Sequence, residues 1–199
     1  MNWKDEREFD RTLGIDTSLT DTDWSHRRQH PCQPTPLAAL EAVAERLKPE
    51  NHIVDCGCGT GRAVFYLAHA ALCRVTGVEL DERRYAGTME NLRRCLKKQP
   101  ATAERVRIIH GAAQECLPED ADCLYFFNPF PAAVLRGVLK GLAHTGGKCI
   151  RLYCYYPDDT WTDVLAQSGW TLEETVALQE KLGNDPRERI DIWTMEEWT

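Results

Sequence analysis

Two acidic residues, Asp55 and Glu79, and the alternating glycines Gly57, Gly59 and Gly61 between them are the residues whose types and spacing can do chemistry. The run Ile53–Arg62 reads as a short buried strand, a loop with glycine at every second position, and a helix starting near Thr60. Alternating glycines let the backbone bend sharply and leave no side chain between it and a ligand. The following helix points free N–H groups and the positive end of its dipole at whatever sits there. Glu79 ends the next strand, where a carboxylate can accept two hydrogen bonds from a ribose diol. Asp55 ends the first strand, where it can order the loop and meet an ammonium group. The spacing is G-x-G-x-G followed by Arg62. That departs from the G-x-G-x-x-G of nicotinamide and flavin sites, whose third glycine packs a helix around a pyrophosphate.

These residues need a framework, and the chain alternates strand and helix patterns to supply one. Gln33-Pro34-Thr35-Pro36 is a helix start, with Thr35 as cap and Pro36 in the first turn, and Pro49 ends that helix. Strands are expected at 52–56, 74–79, about 105–110, 122–127 and about 148–155, with helices at 60–71, about 81–98, 131–143 and 159–168. The helix over 81–98 carries Tyr85, Met89, Leu92 and Leu96 as its apolar stripe, and that over 131–143 carries Leu135, Val138, Leu139 and Leu142. Two last strands, about 170–178 and 187–195, are joined through Gly183-Asn184-Asp185-Pro186, a turn signal that pairs them antiparallel. The order implies an α/β fold: a doubly wound, Rossmann-like sheet of seven strands, mostly parallel, with a C-terminal antiparallel hairpin. Residues 1–31 are polar and poorly periodic and read as an N-terminal arm or lid; 32–199 form the one folded domain.

The glycine loop with its preceding Asp55 resembles the first motif of the class I S-adenosylmethionine (SAM)-dependent methyltransferases. In that family the loop meets an amino acid moiety, so the resemblance implies SAM as cofactor and S-adenosylhomocysteine as product. It assigns cofactor binding to Asp55, Gly57, Cys58, Gly59, Gly61, Glu79 and Leu80. After the third strand comes His110-Gly111-Ala112-Ala113-Gln114, where many family members carry Gly-Asp-Ala with the Asp on the adenine amino group. Ala112 stands at that position, leaving Ala112 or Ala113 backbone groups and the Gln114 side chain to serve the ring, or simply a turn into a short helix. Asn128-Pro129-Phe130 resembles the Asn-Pro-Pro-Tyr/Phe motif of amino-methyltransferases, with one proline missing and the aromatic residue one position early. It implies Asn128 and Phe130 at the acceptor, with Asn128 also bordering the cofactor. There catalysis comes from aligning the amine and excluding water, with little acid–base work. The whole combination, from Pro34-Thr35-Pro36 to Asn128-Pro129-Phe130, is similar to a group of small bacterial methyltransferases, distantly like the non-SET histone-lysine methyltransferases. In that arrangement Thr35 lies near the cofactor's amino acid end.

Bulk properties narrow the alternatives. With 199 residues, 43% hydrophobic, the chain is sized for one domain with a buried core. A net charge of −7 disfavours nucleic acid as partner. The basic residues Arg83, Arg84, Arg93, Arg94, Lys97 and Lys98 form either a solvated helix face or a footprint for RNA or acidic protein. No apolar run approaches membrane length and the N-terminus has no signal-peptide core, so the cytoplasm is expected. The nine scattered cysteines are then reduced thiols. Cys56 and Cys58 are too closely spaced for a zinc knuckle, and no metal is expected. Tyr153 and Tyr155 should share one sheet face and Tyr156 the other, with one of them lining the acceptor pocket. The reading is a SAM-dependent methyltransferase with an unidentified acceptor, small-molecule or protein nitrogen favoured. The alternatives are a SAM-binding partner module without turnover and an RNA-directed amino-methyltransferase. Acceptor identity and oligomeric state lie beyond the sequence.

Overall fold

The computed structural model describes residues 6–18, 33–127, 130–142, 150–178 and 185–195. Seven strands form one sheet: β1 (His52–Cys56), β2 (Arg74–Glu79), β3 (Val106–His110), β4 (Cys123–Phe127), β5 (Arg151–Tyr155), β6 (Thr171–Ala177) and β7 (Arg189–Thr194). Their order is β3-β2-β1-β4-β5-β7-β6. The first five run parallel, and β7 pairs antiparallel with both β5 and β6. β1, buried at every position, is flanked by β2 and β4, so the winding direction reverses between β1 and β4. Ligands of open α/β sheets bind in the crevice outside the strand ends at such a reversal. Asp55 lies in register with Tyr125 there.

Side-chain alternation along the buried strands feeds two cores. One face packs α1 (Glu6–Leu13), α2 (Leu37–Ala44), α3 (Arg62–Ala70), α4 (Glu82–Lys98) and the short α5 (Pro100–Ala103) through Phe9, Leu40, Leu67 and Cys95. The other packs α6 (Ala132–Leu142) and α7 (Asp159–Gln167) through Leu135, Val138, Leu142 and Trp161. Among the described residues no helix is long and apolar enough to cross a membrane.

Several expectations are corrected. α2 begins at Leu37, with Pro36 in the capping position and no side-chain cap. The Thr35 hydroxyl instead lies 3.0 Å from the Tyr125 hydroxyl, because burial leaves it no water and the tyrosine is its nearest polar partner. The fully buried positions of α4 are Thr88, Asn91 and Cys95; Leu92 packs against the core as expected, but Leu96 is 52% exposed. The face with Thr88 and Asn91 turns toward backbone carbonyls, which short polar side chains can satisfy and leucines cannot. Part of the expected arm is a helix: α1 buries Phe9 and Leu13, and Phe9 meets the Tyr66 ring at 5.2 Å.

Candidate functional site

The glycine loop is built against the end of β2. Gly57 and Cys58 donate backbone N–H bonds to the Val78 carbonyl at 2.8 and 3.1 Å, and Gly61 N–H bonds the Cys58 carbonyl. Gly57, Gly59 and Gly61 all hold positive φ (91°, 57° and 90°), a region glycine enters without steric cost. A Cβ on Gly61 would lie 2.9 Å from both Phe65 and Thr88, so this position has no room for a side chain either. The Cys58 side chain packs beneath the loop, its sulfur 2.8 Å from where a Cβ on Gly77 would sit. Only the Cys58 backbone is therefore placed to border a ligand. Gly77, in the middle of β2, went unnoticed in the sequence although its missing Cβ makes room for Cys58 and Val64.

Glu79 is 4% exposed, and both its carboxylate oxygens already accept backbone bonds: Oε2 from Gly59 N–H at 2.8 Å and Oε1 from Asp81 N–H at 2.9 Å. Burial raises its pKa, and those two amides pull it back. Its lone pairs can take further donors beside them. Asp55, also 4% exposed, is different, since no hydrogen bond reaches its side chain among the described residues. Burial, then the Glu79 charge, push its pKa from 3.8 up to about 8. A buried carboxylate beside a second acid calls for a cation, and that is the chemistry an amino acid's ammonium brings. The donor set thus fits the amino acid end and ribose of an adenosyl ligand. Tyr125, fully buried and in register with Asp55, shares a hydrogen bond with Thr35.

At the rim Leu80 is 56% exposed, and its carbonyl lies 3.1 Å from His110 Nε2. His110 stacks on Tyr85 with centroids 4.8 Å apart. Ala112 is extended, and Ala113–Glu115 form a single 3-10 turn with Ala113 buried. Gln114 is exposed, and its stem lies 3.5 Å from where a Cβ on Gly137 of α6 would be.

Asn128 and Pro129 lie outside the described residues. Phe130 is half-buried: its ring meets Trp161 at 5.3 Å and Phe126 at 6.0 Å, and its carbonyl accepts from Trp161 Nε1 at 3.1 Å. The ring thus packs in part against the α6–α7 core. The opposite face gathers Phe127, Tyr155 and Tyr156 at the ends of β4 and β5, with centroid distances of 4.7, 6.4 and 6.2 Å. Strict alternation would have sent Tyr156 to the other side. Its positive φ of 54° turns the chain and returns the ring to its neighbours. Such a conformation is strained for an aromatic residue. The Tyr156 hydroxyl donates to Asp185 at 2.6 Å, and the Arg187 guanidinium lies 4.5 Å over the ring. Burial raises the neighbouring Tyr155 hydroxyl to about 12, helped by Glu188, Tyr156, Asp185 and Glu6.

Strand order, the reversal at β1/β4 and the glycine loop define a Rossmann-like methyltransferase fold. Residues 53–145 match the methyltransferase domain family. Over that segment, which holds the glycine loop and Glu79, the chain is similar to the methyltransferase domain family. Among solved structures, the glycopeptide N-methyltransferase MtfA, complexed with SAM, is similar with a TM-score of 0.62 at 12% identity, over 79% of this chain and 92% of that one. An RNA methyltransferase from Salinibacter ruber, complexed with S-adenosylhomocysteine, gives 0.60 at 20% identity, over 84% and 96%. The pyocyanin biosynthetic protein PhzM gives 0.60 at 16%, over 80% and 55%. At these identities the likeness is one of fold. A 67-residue stretch is 33% identical to the peramine synthetase ppzA of Metarhizium rileyi, covering 34% of this chain but 2% of that protein.

Proposed function

We propose that this SAM-dependent methyltransferase delivers its methyl group by in-line displacement to a nitrogen of a small molecule or protein, and that it works in the cytoplasm. The observation that carries the reading is Asp55, a buried carboxylate without a partner among the described residues, beside three positive-φ glycines at the reversal point. SAM supplies a sulfonium-activated methyl group: a nitrogen–carbon bond forms as the sulfur–carbon bond breaks, and the sulfur leaves as a neutral thioether. Asp55 holds the cofactor's ammonium. The Gly57–Gly61 backbone admits its amino acid end, with Thr35 behind. Glu79 accepts from the ribose hydroxyls, and Leu80, Ala112, Ala113 and Gln114 border the adenine.

For the acceptor, Asn128 takes hydrogen bonds from the amine, on the strength of the Asn-Pro-Phe motif, while the Phe127, Tyr155 and Tyr156 rings supply an apolar wall. The acids around Tyr155 favour an amine over a phosphate-bearing acceptor. On α4, Arg93 and Arg94 share Glu90 as their partner, and Lys98 bonds the Arg11 carbonyl. The seven described cysteines are free thiols, as a reducing compartment keeps them.

The test is titration calorimetry with SAM and S-adenosylhomocysteine, NADH serving as control, followed by methyl transfer from labelled SAM to amine and RNA panels. Micromolar binding of the adenosyl ligands and label on an amine support the reading. Label on RNA would overturn the acceptor class, and adenosyl binding without turnover on any panel would favour the non-catalytic partner module.

A further inference from the structure

The glycine loop is gripped from behind by two buried polar residues that lie outside the glycine motif itself. The Thr88 hydroxyl donates to the Gly59 carbonyl at 2.5 Å, and Asn91 Nδ2 donates to the Thr60 carbonyl at 3.0 Å. Both side chains are buried on the inner face of α4. Threonine and asparagine are indifferent helix formers, so their presence there calls for a reason. Asn91 also reaches the other way. Its Nδ2 donates to the Asp16 carbonyl at 2.8 Å, and its Oδ1 accepts from Asp16 N–H at 2.9 Å. The segment carrying Asp16 is itself pinned. Thr17 donates its backbone N–H and its hydroxyl to Asp10, and accepts from Arg62 Nε at 2.7 Å. Arg62, the first residue after the loop, also bonds Glu6 at 2.7 Å.

These bonds fix the direction of the loop peptides. A trans peptide sets its carbonyl and its N–H on opposite sides. With the Gly59 carbonyl turned to Thr88, the Thr60 N–H aims away from α4, where an anionic group can meet it. We propose that Thr88 and Asn91 are positioning residues for the cofactor's carboxylate. Thr88 orients the Thr60 N–H, Asn91 anchors the following peptide, whose Gly61 N–H is taken by the Cys58 carbonyl, and the docked segment 6–18 braces Asn91 from behind. The inference rests on the SAM reading above.

The experiment separates the amino acid end of the ligand from the adenosine end. Wild type, Thr88→Val, Asn91→Leu, Thr88→Ser and the surface control Arg93→Ala are titrated with SAM and with 5′-methylthioadenosine, which lacks the amino acid carboxylate and ammonium. Thr88→Val and Asn91→Leu should each weaken SAM about tenfold, the scale of one hydrogen bond. Their affinity for methylthioadenosine should stay within about twofold of wild type. Thr88→Ser keeps the hydroxyl and should bind SAM as wild type does. Equal loss of both ligands would mean a merely structural role, and unchanged SAM affinity would mean the loop needs no such hold; either overturns the inference while leaving the cofactor assignment intact. A wild-type protein silent to both ligands would overturn the SAM reading itself, and this inference with it.

Discussion

Asp55→Asn should stabilise the protein without ligand while damaging cofactor binding. The folded state raises the Asp55 pKa from 3.8 to about 8. The native chain therefore holds the proton more tightly than the unfolded chain does. The stability this contributes is fully present below pH 3.8 and is lost as pH rises through about 8. At roughly 1.4 kcal/mol per pH unit, the loss by pH 7 is about 4 kcal/mol as an upper bound. An asparagine of the same shape cannot ionise but leaves a buried amide, so a net gain of about 2 kcal/mol is expected. For a chain of this size that raises Tm by roughly 4–8 °C. Urea unfolding of wild type and variant at pH 5 and pH 8 reads it directly, with the two proteins closer at pH 5. Calorimetry supplies the second half. At pH 7 Asp55 is mostly protonated, and pairing with an ammonium ionises it, so SAM binding should release close to one proton. A series of buffers with different ionisation enthalpies measures that number, which should vanish in Asp55→Asn together with most of the affinity. Equal pH slopes for the two proteins, or the same proton release, would refute the reasoning.

Glu79→Ala should weaken SAM binding by about 1.5–3 kcal/mol, the scale of charge-assisted hydrogen bonds, and unchanged affinity would refute the ribose assignment. It should also speed amide exchange at Gly59 and Asp81, whose N–H groups lose their acceptor. Asn128→Ala should slow turnover more than it weakens SAM binding; equal loss of both would argue against a role at the acceptor. Gly77→Ala would force a Cβ to 2.8 Å from both Cys58 and Val64, lowering the unfolding free energy by about 1–3 kcal/mol in urea titration, and an unchanged midpoint would mean the loop shifts freely.

The fold was legible because its signals are periodic. β1 and β2 fall at 52–56 and 74–79, as the hydrophobic runs and flanking turns indicate, and the leucine and valine stripe of α6 is buried as read. The failures share a cause in tertiary context. On α4 Leu96 is exposed and Thr88 and Asn91 are buried, because a helix packing on backbone carbonyls buries short polar side chains that hydrophobic periodicity treats as surface. Tyr156 was sent to the wrong face because a single positive φ breaks the two-residue repeat, and no residue type announces that in a tyrosine. The contact of Phe130 with Trp161, 31 positions later, leaves no mark in the sequence either. The glycine loop and Glu79 were visible as chemistry. That Glu79 spends both oxygens on the chain itself needed coordinates, since backbone donors leave no mark in the sequence.

The distribution of acids bears on the acceptor through the movement of charge. Methyl transfer to a neutral amine moves a positive charge from sulfur to nitrogen, so the group that gains it is best met by carboxylates already in place. Asp55 and Glu79 are buried beside the glycine loop. Asp185, Glu188 and Glu6 surround Tyr155 at the ends of β4 and β5. Arg187 and Arg62 compensate two of these, Asp185 and Glu6, through direct pairs, and the chain as a whole keeps a charge of −7. Carboxylates both beside the glycine loop and at the ends of β4 and β5 would suit a reaction that begins and ends with a cation. A phosphate-bearing acceptor would have to approach the same edge against that field, at a cost that grows as salt is removed. Turnover on an amine should accordingly fall as ionic strength rises, and turnover on an anionic acceptor should rise. The sign of that dependence, measured with any acceptor found to take label, discriminates the two before its binding site is known.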